Sequence, residues 1–288
     1  MLIGYFLFRK KIINEQGCAQ FGKILLYIVL PSAIIKSCIS TFTKELFICF
    51  IYSLIASLIA LVVAMMISYL AFKRKYPIEN FSASFSNAGF IGIPLIKGVL
   101  GDEAVFFVAS FIALLNILQW TYGIYVMTGN KERIRVKQIA KNPIVISFIM
   151  GIILFIIPFS IPKFITDILS GISSMNAPLA MIILGIYAAQ LSKTDMKCDK
   201  SIILCTAMRM IIITLLTALF LSICPNLQLD IKIAILIVAA APVGSNVAIF
   251  AQLEGLDYKR AVKTVCLSTV ISIITVPLIV CISQYIWV

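Results

Sequence analysis

Five long apolar runs, at residues 46–71, 103–128, 143–158, 201–224 and 258–286, dominate this chain of 288 residues. A helix crosses the roughly 30 Å hydrocarbon layer of a bilayer with about 20 such residues. In hydrocarbon every backbone N–H and C=O must be satisfied within the protein, so spans are helices or closed barrels. No alternating barrel-strand pattern is present, which leaves helices. Only 12% of the residues are charged, against roughly a quarter in a soluble domain, so a water-facing surface cannot be covered. The expected fold class is an all-α integral membrane protein with the lipid bilayer as its solvent.

A net charge of +12 suggests nucleic acid until its placement is considered. Connections 9–23, 72–79, 129–142, 192–200 and 254–263 hold 18 of the 24 basic residues. The intervening ones hold only Lys44, Lys97, Lys163 and Lys232. Alternation of this kind marks the basic side as cytoplasmic in a multi-pass protein of the cell membrane, and no nucleic-acid partner is expected. His is absent, which removes imidazole acid–base chemistry and His metal sites. The eight Cys are scattered without a CxxC, so they read as small core residues rather than as a disulfide or metal framework.

With the basic connections on one side, spans fall at about 22–40, 46–71, 80–100, 103–128, 143–160, 164–191, 201–224, 232–252 and 258–286. Before them lies MLIGYFLF, whose eight residues reach only about 12 Å as a helix. It reads as the inner end of a longer first helix, truncated at the start of this chain. Gly4, Phe8, Pro31 and Ala33 match Gly151, Phe155, Pro178 and Ala180 at one constant offset of 147. This divides the chain into a first five-helix repeat over 1–128, a basic loop over 129–142 and a second repeat over 143–288. An odd number of spans per half inverts one half relative to the other, a transporter signature with its site at discontinuous helices near the midplane.

Two spans carry the residues that break helices. FSNAGFIGIPLIKG, residues 85–98, and AAAPVGSNVAIFAQ, residues 239–252, place Pro, Gly and Asn in mid-span. Pro94 and Pro242 each remove a helix hydrogen bond, while Gly89, Gly92 and Gly244 allow close backbone approach. Half-helices starting after Pro94 and after Pro242 would point partial positive ends at one another in mid-membrane, which favours an anion. Asn87, Ser245 and Asn246 add neutral donors and acceptors. The competing explanation is that such residues make kinks and packing seams in many membrane helices.

The stretches NAGFIGIPLIKGVLGDEA, NPIVISFIMGIILFIIPFSIP, APLAMIILGIYAAQ, APVGSNVAIFAQLEG and VCLSTVISIITVPL resemble the auxin efflux carrier family, which includes plant auxin exporters and bacterial malate permeases. The resemblance covers nearly the whole chain. It implies a ten-helix fold of two inverted five-helix repeats, a scaffold that often forms a homodimer, and a bundle whose fourth and ninth helices cross at prolines. Substrate would bind at that crossing, at Asn87, Pro94 and Pro242 with its polar neighbours, and move by an elevator-like shift. The short first helix and the absence of the long cytoplasmic loop of the larger plant carriers depart from the pattern.

Other polar residues stay open. Arg209, eight residues into its span, suits a carboxylate, a structural charge or a snorkelled end. Asn116 and Gln119 share a helix face and either line a cavity or bond between helices. Lys36 reads as snorkelling to the nearer interface, Lys97 faces an outer vestibule, and Asn176 reads as a partner of the bend at Pro178. Glu254 and Asp257 are either gating contacts or a solvated helix end. No carboxylate lies at mid-span, so the drive is either the membrane potential or sodium held by neutral oxygens. The expectation is a carrier for a small organic carboxylate, without cofactor or resident metal. A non-transporting sensor of the same acid is the alternative, and an enzyme lacks its nucleophile, carboxylate pair or metal set.

Overall fold

The computed structural model describes residues 1–130, 134, 136–157, 161–190, 199–224 and 227–287. Cys198, part of connection 129–142 and most of connection 192–200 lie outside the described residues. Among the described residues six helices are long and apolar enough to span a membrane: α2 (Glu15–Cys38), α3 (Lys44–Phe72), α6 (Val105–Thr128), α8 (Lys163–Gln190), α9 (Lys200–Ser222) and α12 (Tyr258–Trp287). Shorter ones fill the order: α1 (Leu2–Arg9), α4 (Pro77–Ser84), α5 (Ala88–Leu100), α7 (Pro143–Ile156), α10 (Leu229–Ala240) and α11 (Asn246–Leu253). No strand forms among the described residues. The protein is an all-helical, multi-pass membrane protein.

Several helices begin earlier than their apolar runs. α2 starts inside the expected connection 9–23, because the Asn14 side chain accepts from Gly17 N at 2.9 Å and caps a polar first turn. α4 takes residues 77–79 from the expected connection 72–79, with Pro77 in its first turn, where its missing N–H costs nothing. α12 likewise begins at Tyr258, inside 254–263.

The packing is that of helices in lipid. Along α3, Ser53, Ala56, Ser57, Ala60, Leu61, Ala64 and Ser68 are buried, whereas Ile55, Leu58, Ile59, Val62, Met66 and Leu70 are exposed. The small side chains face the protein and the large ones face outward, the reverse of a water-soluble helix. Small residues let backbones approach, and Ser53 Oγ reaches the carbonyl of Phe107 on α6. α1 lies on α8 just as closely: a Cβ at Gly4 would collide with the Ile182 carbonyl, and one at Gly185 with the Met1 carbonyl. α7 lies on α2, where a Cβ at Gly151 would stand 2.7 Å from Cys38 Sγ.

These contacts sort the helices into two groups. α1, α2, α7 and α8 pack on one another, and α3 to α6 pack with α9 to α12. The groups meet chiefly where α2 and α7 lie against α6. At one end an aromatic chain closes this seam, with ring centroids 5.3 Å apart for Phe50–Phe106 and 4.9 Å for Phe106–Phe155. Such pairs add about 0.5–1.5 kcal/mol each beyond their burial. At the other, basic end Arg74 stacks on Tyr125.

Candidate functional site

Two helices break at the centre of the second group. α4 stops at Ser84 and α5 begins at Ala88, while α10 stops at Ala240 and α11 begins at Asn246. The intervening stretches meet as an isolated antiparallel bridge between Ser86 and Val243. Asn87 N donates to Pro242 O at 2.7 Å, and Gly244 N donates to Phe85 O at 3.0 Å. The residue types explain the closeness. Any Cβ at Gly244 would lie 3.0 Å from Ser86 O, and the amide of Val243 is satisfied by Ser268 Oγ of α12 at 3.1 Å. Each break thus completes the other's backbone bonding, as the hydrocarbon requires.

The half-helices start at Ala88 and Asn246, not directly after Pro94 and Pro242. Pro94 sits within α5, which opens with a π turn over Ala88–Gly92 in which Ile93 N donates five residues back to Ala88 O. In that register the ring nitrogen of Pro94 faces the Gly89 carbonyl without a hydrogen to give. Asn176 Nδ2 of α8 donates there instead, at 2.9 Å. Pro94 therefore makes a bulge whose orphaned carbonyl is served by a neighbouring helix. A Cβ at Gly92 would lie 3.0 Å from Val238 Cγ1, so the role of this glycine is close approach.

The crossing has two chemically opposite sides. On one, the carboxyl ends of α4 and α10 converge on Arg209, which is 2% exposed. Its guanidinium donates to Ala83 O at 3.2 Å, to Ala241 O at 3.3 Å and to Ala239 O. A cation there answers the partial negative ends of two helices. Of the roles open for Arg209, the structure displays the structural one: its donors meet carbonyls, and it lines none of the cavities at the crossing.

On the other side lie the amino ends of α5 and α11. Ser86 Oγ, Asn87 Nδ2 and Gln119 Nε2 are buried there without a partner among the described residues. Asn246 Nδ2 donates to Gln119 Oε1 at 3.0 Å, and Asn116 Nδ2 to its own Ile112 carbonyl at 2.8 Å. Ser245 precedes α11 and is buried. A cavity of about 20 Å³ is lined by Ser86, Asn87, Gly89, Asn116, Gly244 and Asn246 from the second group, with Leu26, Leu30 and Ile144 across the seam. A second cavity, about 90 Å³, continues from Asn116 and Asn246 to Asn142 at the basic end. The structure therefore gathers Asn87, Gly89, Asn116, Gly244 and Asn246 around one space, holds Gln119 behind it through Asn246, and leaves Gly92, Pro94, Arg209, Pro242 and Ser245 outside its lining.

Sequence reasoning missed the π turns. Among the described residues these fall at Leu25–Val29, Ala88–Gly92, Gln119–Gly123 and Met208–Ile213, and each contains a residue of the crossing or its cavities. An extra residue per turn re-aims side chains, which is why such bulges gather at functional sites. Ser86 and Ser268 were also missed, since a lone Ser in a membrane helix is too common to signal anything.

Charges gather at both ends. Away from the basic end, a cavity of about 480 Å³ contains Lys36, Lys97, Asp102 and Glu103. Asp102 accepts from Lys36 Nζ at 2.7 Å and lies 3.3 Å from Lys97 Nζ. The hydrogen bond from Lys36, reinforced by Lys97, holds the Asp102 carboxyl below its ordinary range. Lys36 is thus paired across the seam rather than merely snorkelling. At the basic end Glu79, assigned to a connection by its sequence, is 1% exposed. It binds Arg260 at 2.7 Å, and Arg260 also binds Asp199 at 2.8 Å.

Comparison with known proteins agrees with this architecture. A family model described as membrane transport protein matches residues 1–280. The chain is 25% identical over 292 residues to the uncharacterized transporter MJ1031 of Methanocaldococcus jannaschii, covering 96% of this chain and 94% of that one. It is 23% identical to an uncharacterized transporter of Methanothermobacter thermautotrophicus, with 96% and 93% covered. The uncharacterized transporter YfdV of Escherichia coli is 24% identical over 66% of this chain and 65% of its own. The chain belongs to the membrane transport protein family, that of the auxin efflux carriers.

Proposed function

We propose that the protein is a secondary carrier, not an enzyme, that moves a small organic carboxylate across the cytoplasmic membrane at the crossing of its two broken helices. The observation that carries this reading is the clustering of three of the unpartnered buried donors among the described residues, Ser86 Oγ, Asn87 Nδ2 and Gln119 Nε2, beside two half-helix amino ends. A buried donor left unsatisfied costs about 1–3 kcal/mol, and a carboxylate oxygen relieves it. Arg209 supports the same reading from the other side, because it neutralises the carbonyl ends that would repel an anion.

An inverted 5+5 repeat accounts for the packing. Gly4 and Gly151 correspond at the offset of 147, and so do Cys38 and Gly185. Gly151 packs on Cys38, and Gly185 packs on the turn around Gly4. One inverted contact used twice explains why α1 and α7 each clasp a helix of the other half. The first group is then the scaffold and the second the moving bundle, with the basic face cytoplasmic.

The cavity sizes support an elevator-type movement. About 20 Å³ at the crossing holds a single water-sized molecule, so an organic acid is admitted only when bundle and scaffold shift along their seam. An interior-negative potential favours anion exit by about 2.3 kcal/mol per charge per 100 mV. Sodium held by neutral oxygens is the competing drive. Uptake of labelled malate, succinate and indole-3-acetate into proteoliposomes, with and without sodium and an imposed potential, tests the proposal. Accumulation of one acid that follows the potential or the sodium gradient is expected. Saturable binding without accumulation would make the protein a sensor and overturn the carrier reading.

A further inference from the structure

The roughly 480 Å³ cavity opposite the basic end lies on the same seam as the crossing but shares none of its lining. Its walls come from both helix groups. α2 gives Lys36 and Ser37, the following connection gives Ser40 and Thr41, and the second group gives Lys97, Asp102 and Glu103. The cations are built in. Lys36 and Lys97 are about three-quarters buried, and both ammonium groups converge on the two oxygens of one carboxylate. Lys97 Nζ also donates to Ser173 Oγ of α8 at 3.0 Å. Asp102 itself stands at the tip of the α5–α6 connection, 55% exposed, directly after Gly101 at φ 87°. That backbone conformation is open to glycine at little cost, and nothing would crowd a Cβ there. A carboxylate on a short exposed tether thus occupies a two-lysine cradle inside a cavity large enough for an organic acid.

We propose that this cavity is a second anion-binding site, and that Asp102 holds the place of an incoming organic carboxylate, which exchanges with it for Lys36 and Lys97. The exchange has a mechanical consequence. The contacts from Lys36 to Asp102 and from Lys97 to Ser173 join the first helix group to the second across the seam. A free carboxylate that takes the lysines releases Asp102, so a covalently tethered link from Lys36 across the seam gives way to a ligand that can leave, which loosens the groups whose relative movement transport requires. The inference rests on the carboxylate reading of the crossing. It concerns different residues, so the two can fail separately.

The probe is a pair of thiol reagents, anionic 2-sulfonatoethyl and cationic 2-trimethylammonioethyl methanethiosulfonate. They are applied to the purified protein carrying Thr41→Cys, with modification of residue 41 read by peptide mass spectrometry. Asp102→Asn should raise the anionic-to-cationic rate ratio by about tenfold, and Lys36→Gln with Lys97→Gln should lower it by a similar factor. The acid transported by the wild type should slow anionic labelling, and at about tenfold lower concentration in Asp102→Asn, where the tethered competitor is gone. A ratio that moves less than twofold in both variants overturns the proposal, as does labelling indifferent to every acid. Proteoliposome flux separates the two sites. Flux lost in Asn87→Ala but equal to wild type in the lysine variants, with no protection of residue 41, leaves the crossing standing and removes the vestibule. Protection without flux in the wild type keeps the vestibule and removes the carrier.

Discussion

Arg209 donates to three backbone carbonyls, whereas Asn87 Nδ2 is buried without an acceptor, so substitution should affect the two residues in opposite ways. Arg209→Gln leaves carbonyls of two helix ends short of donors at about 1–3 kcal/mol each. A clear fall in melting temperature in detergent is expected, and wild-type melting would refute the capping role. Asn87→Ala removes no bond made by its side chain, so stability should stay within about 0.5 kcal/mol of wild type. Its flux should fall roughly tenfold, the equivalent of one hydrogen bond to a charged group. Gly244→Ala pushes a methyl against Ser86 O, 3.0 Å from the ideal Cβ, and should reduce flux further by parting the two breaks. Full flux in that variant would mean the bridge is not needed for transport.

At the scale of elements, the instructive case is Pro94. Six of the nine expected spans were legible because apolar runs of membrane length have few other uses, and the polar set Asn87, Asn116, Gln119 and Asn246 was legible because such groups are costly in hydrocarbon. The position of the break was not. Proline is the visible sign of interruption, yet Pro94 is absorbed by a π turn and the Asn176 amide, while the chain opens at Phe85–Asn87. That opening is stabilised by Pro242, Ser268 and Arg209, all more than a hundred residues away in sequence. Local propensity cannot reveal partners at such separation. Charge was misjudged in the same way: Lys36 and Glu79 looked solvated until Asp102 and Arg260 came beside them. If Asn176 serves the carbonyl that Pro94 leaves unbonded, their substitutions must couple. Asn176→Ala should cost about 1 kcal/mol alone and distinctly less beside Pro94→Ala, which restores an N–H. Additive melting shifts across the four proteins would show that the two residues act independently.

For the whole molecule, the seam between the two helix groups joins the three cavities, the Phe50–Phe106–Phe155 cluster and the Lys36–Asp102 pair. The pair faces Lys97 and Glu103, and its carboxyl is held below the ordinary range. A lowered carboxylate contributes above its unfolded pKa of about 3.9, and the contribution is lost only as pH falls through the lower folded value. The anionic-to-cationic labelling ratio at Thr41→Cys should therefore stay flat between about pH 5 and 8. A step within that window would place another titrating group in control of the cavity.

The central claim is that the bridged breaks bind an anion and carry it across. Its most direct test is charge movement by proteoliposomes on a solid support, pulsed with a panel of carboxylates, for wild type and Asn87→Ala at matched protein density. The account predicts a transient current with one acid, reduced roughly tenfold by the loss of one donor at the crossing. Equal currents from both proteins would contradict it, because the anion would then cross without using the site where the two helices break.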